Sequence, residues 1–170
     1  MKLLRQLKLA DFFTLGNFVA GMLSILFSLK GQLETAAIFM IAAFFLDFLD
    51  GRIARFMNSE NKFGKELDSL GDLVSFGVAP AVFGFATGLT ETWHMAILIG
   101  FAACGMLRLA RFNVLKIKGF IGVPITVNGI VFPVIYFLLG AFDIGFNDYV
   151  VMVYLLMAVL MISDIRVKKI

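Results

Sequence analysis

Cys104 is the single cysteine of this sequence and His94 its single histidine. One cysteine excludes an internal disulfide framework and any cysteine-built metal centre. One histidine excludes a histidine cage and any mechanism that needs two imidazoles. Charge is scarce too: 16% of the residues are charged, where a soluble domain carries about 25%. There are 3 prolines and 1 tryptophan. Strand-like alternation is missing, which argues against a β-barrel. Low-complexity tracts and internal repeats are missing as well.

Apolar bulk fills the chain instead. Of 170 residues, 61% are hydrophobic, with 20 Phe and 9 Met, and the mean hydropathy is +0.95. A soluble domain runs about 45–50% apolar, so most of this chain belongs in lipid. At roughly 20 apolar residues per span, the length holds six helices in one domain. The expected class is all-α: a polytopic membrane protein of six transmembrane helices plus an N-terminal amphipathic surface helix. The apolar stretches lie near 11–29, 35–57, 64–89, 93–113, 123–141 and 147–164. Residues 1–10 space Lys2, Arg5 and Lys8 three apart among leucines, the pattern of a basic helix lying on a membrane surface. It does not read as a cleaved signal: Thr14, Asn17 and Ser24 interrupt the apolar run that follows, and a small-residue cleavage site is lacking. The expected domains are therefore this helix, 1–10, and a membrane domain, 11–170.

Basic residues set the orientation. With six spans, every Lys and Arg except Lys30 falls on one side: at the N-terminus, at the junction of spans two and three, at the junction of spans four and five, and at the C-terminus. The other side holds Lys30, Glu34, Glu91, Asp143 and Asp148. Both termini are expected in the cytoplasm, in an integral protein of the cell membrane. The net charge of +3 describes a basic cytoplasmic face suited to anionic head groups or phosphates; no nucleic-acid partner is expected.

Four carboxylates interrupt the apolar spans. Ionisable groups at such depth are expensive and mark function. Asp47 and Asp50 are three apart, and Asp68 and Asp72 are four apart, so each pair shares a helix face. A short loop joins the two helices, so all four converge at the cytoplasmic end. Unaided, they would repel one another. A divalent cation, or two, resolves this, and oxygen ligands select Mg²⁺, Mn²⁺ or Ca²⁺ over Zn²⁺. Gly51, Ala54 and Gly64 clear space on the same faces, and Arg55 and Lys65 add positive charge. Such a site suits a pyrophosphate and a transferring phosphoryl group. Plain salt bridging would not require the small residues. A proton or ion pathway would need a polar relay continuing outward, which the sequence lacks.

The run Asp47-x2-Asp50-Gly51-x2-Ala54-Arg55-x8-Gly64-x3-Asp68-x3-Asp72 resembles the signature of the CDP-alcohol phosphotransferases at every specified position. The segments 14–21, 75–81, 104–113 and 119–126 are similar to the phosphatidylserine synthase branch of that family. The resemblance implies a six-helix membrane enzyme, usually a homodimer. It implies a CDP-diacylglycerol-type lipid as donor (phosphatidyl or archaetidyl), L-serine as acceptor and CMP as the leaving group. Carried over, Asp47, Asp50 and Asp68 are metal ligands, and Asp72 is both ligand and general base. Gly51, Ala54, Arg55 and Gly64 line the nucleotide, with Thr14 and Asn17 of span one as further candidates. Thr14 and Asn17 are read equally well as helix-joining polar residues.

Serine brings a carboxylate, which arginine binds in bidentate fashion. Arg111, Asn113 and Lys65 form the expected serine pocket, with Arg108 and Thr126 beside it; a membrane anchor is the plainer account of the two arginines. The same chemistry with glycerol phosphate or inositol phosphate is the nearest alternative, and an ion-coupled transporter the alternative of another class. Glu66 is expected to point off the metal face, Lys116 and Lys118 to meet lipid phosphates, and Pro80, Pro124 and Pro133 to kink helices. His94 beside Trp93 reads as an anchor at the outer interface.

Overall fold

The computed structural model describes residues 9–56, 62–115, 120–145, 148–164 and 166–167, and within these gives the backbone alone for 9–10, 54–56, 62, 115, 120–121, 148 and 166–167. Residues 1–8 of the expected surface helix, and Lys116 and Lys118, lie outside the described residues. The described residues of each of the six expected apolar stretches are mostly helical. Helix α1 runs Leu9–Leu29 and α2 Leu33–Phe56; α3 runs Lys62–Asp72 and continues through a wide turn, Leu73–Val78, into α4, Ala79–Ala86. Helix α5 spans Thr92–Leu115, α6 Asn128–Ala141 and α7 Asp148–Ile162. The one sheet among the described residues is a two-residue antiparallel pairing of β1, Phe120–Ile121, with β2, Arg166–Val167. Asp11–Leu29, Phe63–Ala86 and Thr92–Val114 are long and apolar enough to cross a membrane. Helix α2 is as long as α5 but carries the carboxylates.

Helix α1 ends where Gly31 takes a φ of +72°, with its N–H on Ser28 O and the Gln32 N–H on Phe27 O. This glycine-terminated cap turns the chain back, and α2 packs along the length of α1. Helix α1 also meets α3, the wide turn and α4. The approach to the wide turn depends on Gly21: a Cβ there would sit 2.7 Å from Ser75 Cα, a backbone atom with no room to yield.

An aromatic cluster holds the opposite side. Phe132 of α6 stacks on Tyr154 of α7 at 3.9 Å, and Phe101 of α5 meets both rings edge-on. The fully buried Tyr154 donates its hydroxyl to Pro80 O at 2.7 Å. Gly84 makes that possible, since a Cβ there would lie 2.7 Å from the Tyr154 oxygen.

Of the three prolines expected to kink helices, Pro124 departs from that expectation. Pro80 opens α4 straight after the wide turn. It has no N–H to donate, and Asn128 Nδ2 donates to Phe76 O of the wide turn at 3.1 Å. Pro133 lies inside α6. Pro124 kinks no helix: with ψ 138° it is extended backbone ahead of a single helical turn, Ile125–Val127. His94 is also a correction. It is buried in the first turn of α5, where its Nδ1 accepts the Glu91 N–H at 3.3 Å.

Candidate active site

Helices α2 and α3 carry the four carboxylates on facing turns, as the three- and four-residue spacings require. Asp47, Asp50 and Asp68 each offer a carboxylate oxygen, and these oxygens all lie within 4.8 Å of one another. Asp50 and Asp72 are almost wholly buried. The Asp72 carboxyl lies at hydrogen-bond range of Asp47. Asp68 Oδ1 is buried and has no hydrogen-bond partner among the described residues. An all-oxygen donor set this tight, with an unpartnered ligand atom, fits a hard divalent cation.

Helix α1 supplies the polar backing. Thr14 Oγ1 donates to Asp50 Oδ2 at 2.9 Å, and Asn17 Nδ2 donates to Asp72 Oδ1 at 3.0 Å. Thr14 and Asn17 are three apart, so one face of α1 reaches one carboxylate on each neighbouring helix. Ser75 of the wide turn donates to Asn17 O at 3.0 Å and ties the same residue from behind. Asn17 is fully buried, and its Oδ1 has no partner.

The residues expected around the substrate divide into groups. Gly51 and Gly64 are half-buried at the carboxylate level. Ala54 and Arg55 lie in the last turns of α2, where only the backbone is described. Arg108 of α5 is within electrostatic reach of Asp72, and its Nε is buried without a partner. Arg111 is turned to the end of α7, where it pairs with Asp164 and donates to Ile162 O at 3.4 Å. The Lys65 ammonium sits over the Phe112 ring at 4.7 Å. Asn113 Nδ2 donates to Ser69 Oγ at 3.0 Å and to Glu66 Oε2 at 3.4 Å. Thr126 is half-buried in the turn before α6.

Arg108, Phe112 and Asn113 of α5 thus lie on the side of α3 that carries Asp72, Lys65, Ser69 and Glu66. Asp72 is buried, and Lys65 and Glu66 are exposed. Sequence reasoning passed over Ser69 and Ser75. Ser69 stands one residue after Asp68, and Ser75 three after Asp72, so a search for hydroxyls within one turn of the carboxylates finds both.

The profile of the CDP-alcohol phosphatidyltransferase family matches residues 7–165. The chain is 46% identical over 119 residues to the CDP-diacylglycerol–serine O-phosphatidyltransferase of Saccharomyces cerevisiae, covering 66% of this chain and 43% of that protein. It is 40% identical over 128 residues to the protein of that name from Bacillus subtilis, covering 73% of this chain and 72% of that one. It is 38% identical over 173 residues to the archaetidylserine synthase of Methanothermobacter thermautotrophicus, covering 97% of this chain and 71% of that one. The chain therefore spans less than half of the yeast protein and nearly three quarters of the other two. With the signature carboxylates gathered on α2 and α3, the chain belongs to the CDP-alcohol phosphatidyltransferase family.

Proposed function

We propose that this protein transfers the phosphatidyl, or archaetidyl, group of a CDP-linked lipid to the hydroxyl of L-serine and releases CMP. The carboxylate cluster on α2 and α3 carries this reading, and the names of the relatives support serine as the acceptor. The donor's tails lie in the bilayer, and its CDP head enters from the cytoplasmic leaflet. Asp47, Asp50, Asp68 and Asp72 hold divalent metal, Mg²⁺ or Mn²⁺, in one or two ions. Bound there, the metal neutralises the pyrophosphate and the charge that grows as CMP departs. Gly51, Ala54 and Gly64 leave room for the nucleotide, with Arg55 at its phosphates, and Thr14 and Asn17 back the carboxylates from α1. Arg108 and Arg111, with Lys65, Asn113 and Thr126, surround the serine.

Asp72 accepts the proton of the serine hydroxyl. The serine oxygen bonds to the β-phosphorus, the bond from that phosphorus to the bridging oxygen breaks, and the electron pair leaves with CMP. A positioned base of this kind contributes about 10²–10⁴-fold. The protein is a six-span homodimer of the cell membrane: one membrane domain over 11–170, preceded by a surface helix over 1–10.

The test is purified protein with CDP-diacylglycerol, a panel of alcohols and Mg²⁺ or Mn²⁺, read as CMP release. Turnover is expected with L-serine, and with glycerol phosphate and inositol phosphate none. Chelator should abolish it and added metal restore it. Asp47→Asn, Asp50→Asn and Asp68→Asn should each abolish it in protein that still folds. Undiminished turnover in excess chelator would overturn the metal role, and turnover with a phosphorylated acceptor alone would overturn serine.

A further inference from the structure

The helical turn Ile125–Val127 and the first residue of α6, Asn128, pack against both the wide turn and α5. Ile125 and Asn128 are fully buried, and three residues apart in so tight a turn they share a face. The Ile125 side chain enters a notch between two glycines. A Cβ on Gly105 of α5 would stand 2.7 Å from Ile125 Cδ1, and a Cβ on Gly77 of the wide turn 3.7 Å from the same atom. Asn128 holds the wide turn itself, since its Nδ2 donates to Phe76 O at 3.1 Å. The Phe76 ring lies against Gly129, where a Cβ would meet Phe76 Cε1 at 2.6 Å. Helix α7 backs the turn: the Val123 N–H donates to Leu160 O at 3.1 Å, and Met161 Sδ accepts from Asn128 Nδ2 at 3.5 Å.

Both glycines stand one turn from a residue of the site. Gly105 is three residues before Arg108 on α5. Gly77 is five after Asp72, the repeat of a turn whose N–H groups reach back five residues, as Ala79 N–H does to Val74 O. Arg108 is within electrostatic reach of Asp72. The separation of α5 from the wide turn, which Ile125 fills, therefore sets how closely Arg108 approaches Asp72. The wide turn is gripped from two sides at consecutive residues: Ser75 bonds to Asn17 O of α1, and Phe76 O accepts from Asn128 of α6. Asn17 in turn holds Asp72.

We propose that Ile125 and Asn128 are positioning residues for the transfer: Ile125 wedges α5 from the wide turn, Asn128 anchors that turn, and together they fix Arg108 against Asp72. The inference rests on the reading of Asp72 as the base that takes the serine proton. A misplacement of about 1 Å can cost about a hundredfold in rate, so the smaller shifts that follow loss of one methyl should cost about three- to tenfold.

The experiment uses the intact chain in lipid nanodiscs with CDP-diacylglycerol, L-serine and Mg²⁺, at a temperature where melting curves show each variant folded. Ile125→Val removes the Cδ1 methyl that reaches both glycines, and Gly105→Ala puts a methyl where that Cδ1 stands. Each should lower kcat about three- to tenfold and leave the KM for CDP-diacylglycerol within about twofold. The double variant Ile125→Val/Gly105→Ala refills the notch and should recover kcat to within about twofold of wild type, a coupling that neighbours in contact show and distant sites do not. Asn128→Leu, which keeps the volume and loses the donor, should lower kcat about tenfold with the KM for CDP-diacylglycerol again held. Wild-type kcat in the Ile125 and Asn128 variants, or losses that simply add in the double variant, would overturn the positioning role. Asp72→Asn is the control: full turnover there would overturn the base reading, whereas an inactive Asp72→Asn beside fully active Ile125 and Asn128 variants overturns the positioning alone.

Discussion

Asn17 stands at the meeting point of α1, α3 and the wide turn, and each of its bonds has a consequence. Its amide holds one oxygen of Asp72 at 3.0 Å and so orients the carboxyl. A buried acceptor stripped of its donor costs about 1–3 kcal/mol, and a carboxylate free to rotate loses its aim. Asn17→Leu should therefore lower kcat about tenfold or more and leave the KM for CDP-lipid within about twofold, because a base contributes on the order of 10²–10⁴-fold when well placed. Saturation curves for both substrates, with thermal melts to verify folding, make the comparison. A raised KM for CDP-lipid at unchanged kcat would instead place Asn17 against the nucleotide. The four carboxylates were legible from spacing alone, since three and four residues are one helical turn. The partners of those carboxylates were not: Thr14 lies 36 positions from Asp50 and Asn17 lies 55 from Asp72. No local pattern encodes contacts of that separation.

Between elements, the decisive contact is α1 against the turn that follows Asp72. The wide turn Leu73–Val78 carries Ser75, which bonds to Asn17 O, and Gly21 is what lets α1 come that close. Gly21→Ala should force α1 and the turn apart by several tenths of an ångström, because the added Cβ meets Ser75 Cα at 2.7 Å. Overpacking of this kind costs about 1–3 kcal/mol. Reduced thermal stability and reduced CMP release are both expected, since Asn17 and Asp72 move with the two elements. A variant that melts and turns over like wild type would show that the contact is not tight. The six helical stretches were readable because apolar length is a strong signal. The wide turn was not, because its Phe76 O is held by Asn128, 52 positions later in the chain. Pro124 misled for a related reason: a proline removes a donor wherever it stands, and only the fold decides whether a helix is there to bend.

At the scale of the molecule, an exposed apolar surface and a one-sided charge distribution define how the protein sits in the bilayer. Ile38, Phe45, Ile99, Leu107, Leu138 and Leu156 all point outward, each more than half exposed. A surface of that kind is stable against lipid, and in water it would drive association. Placing the basic ends of α2 and α5 in the cytoplasm puts the mouth of the carboxylate site there too, beside Lys65 and Arg111. The turn between α1 and α2, Glu91 ahead of α5 and the start of α7 then face outward. Lysine and arginine resist translocation far more than aspartate and glutamate do, so the start of α3 at Lys62 is expected inside. The check is single-cysteine labelling in sealed cells on a Cys104→Ser background, with cysteines placed at Lys2, Lys62, Glu91, Asp148 and Lys169. An impermeant reagent should reach the Glu91→Cys and Asp148→Cys variants in intact cells, and the other three only after the membrane is opened. Labelling at Lys62→Cys from outside would invert the orientation. Labelling of Glu91→Cys only after opening, with Lys62→Cys still protected, would place both ends of the α3–α4 segment on one side of the membrane, and α3 would enter and leave by the same face.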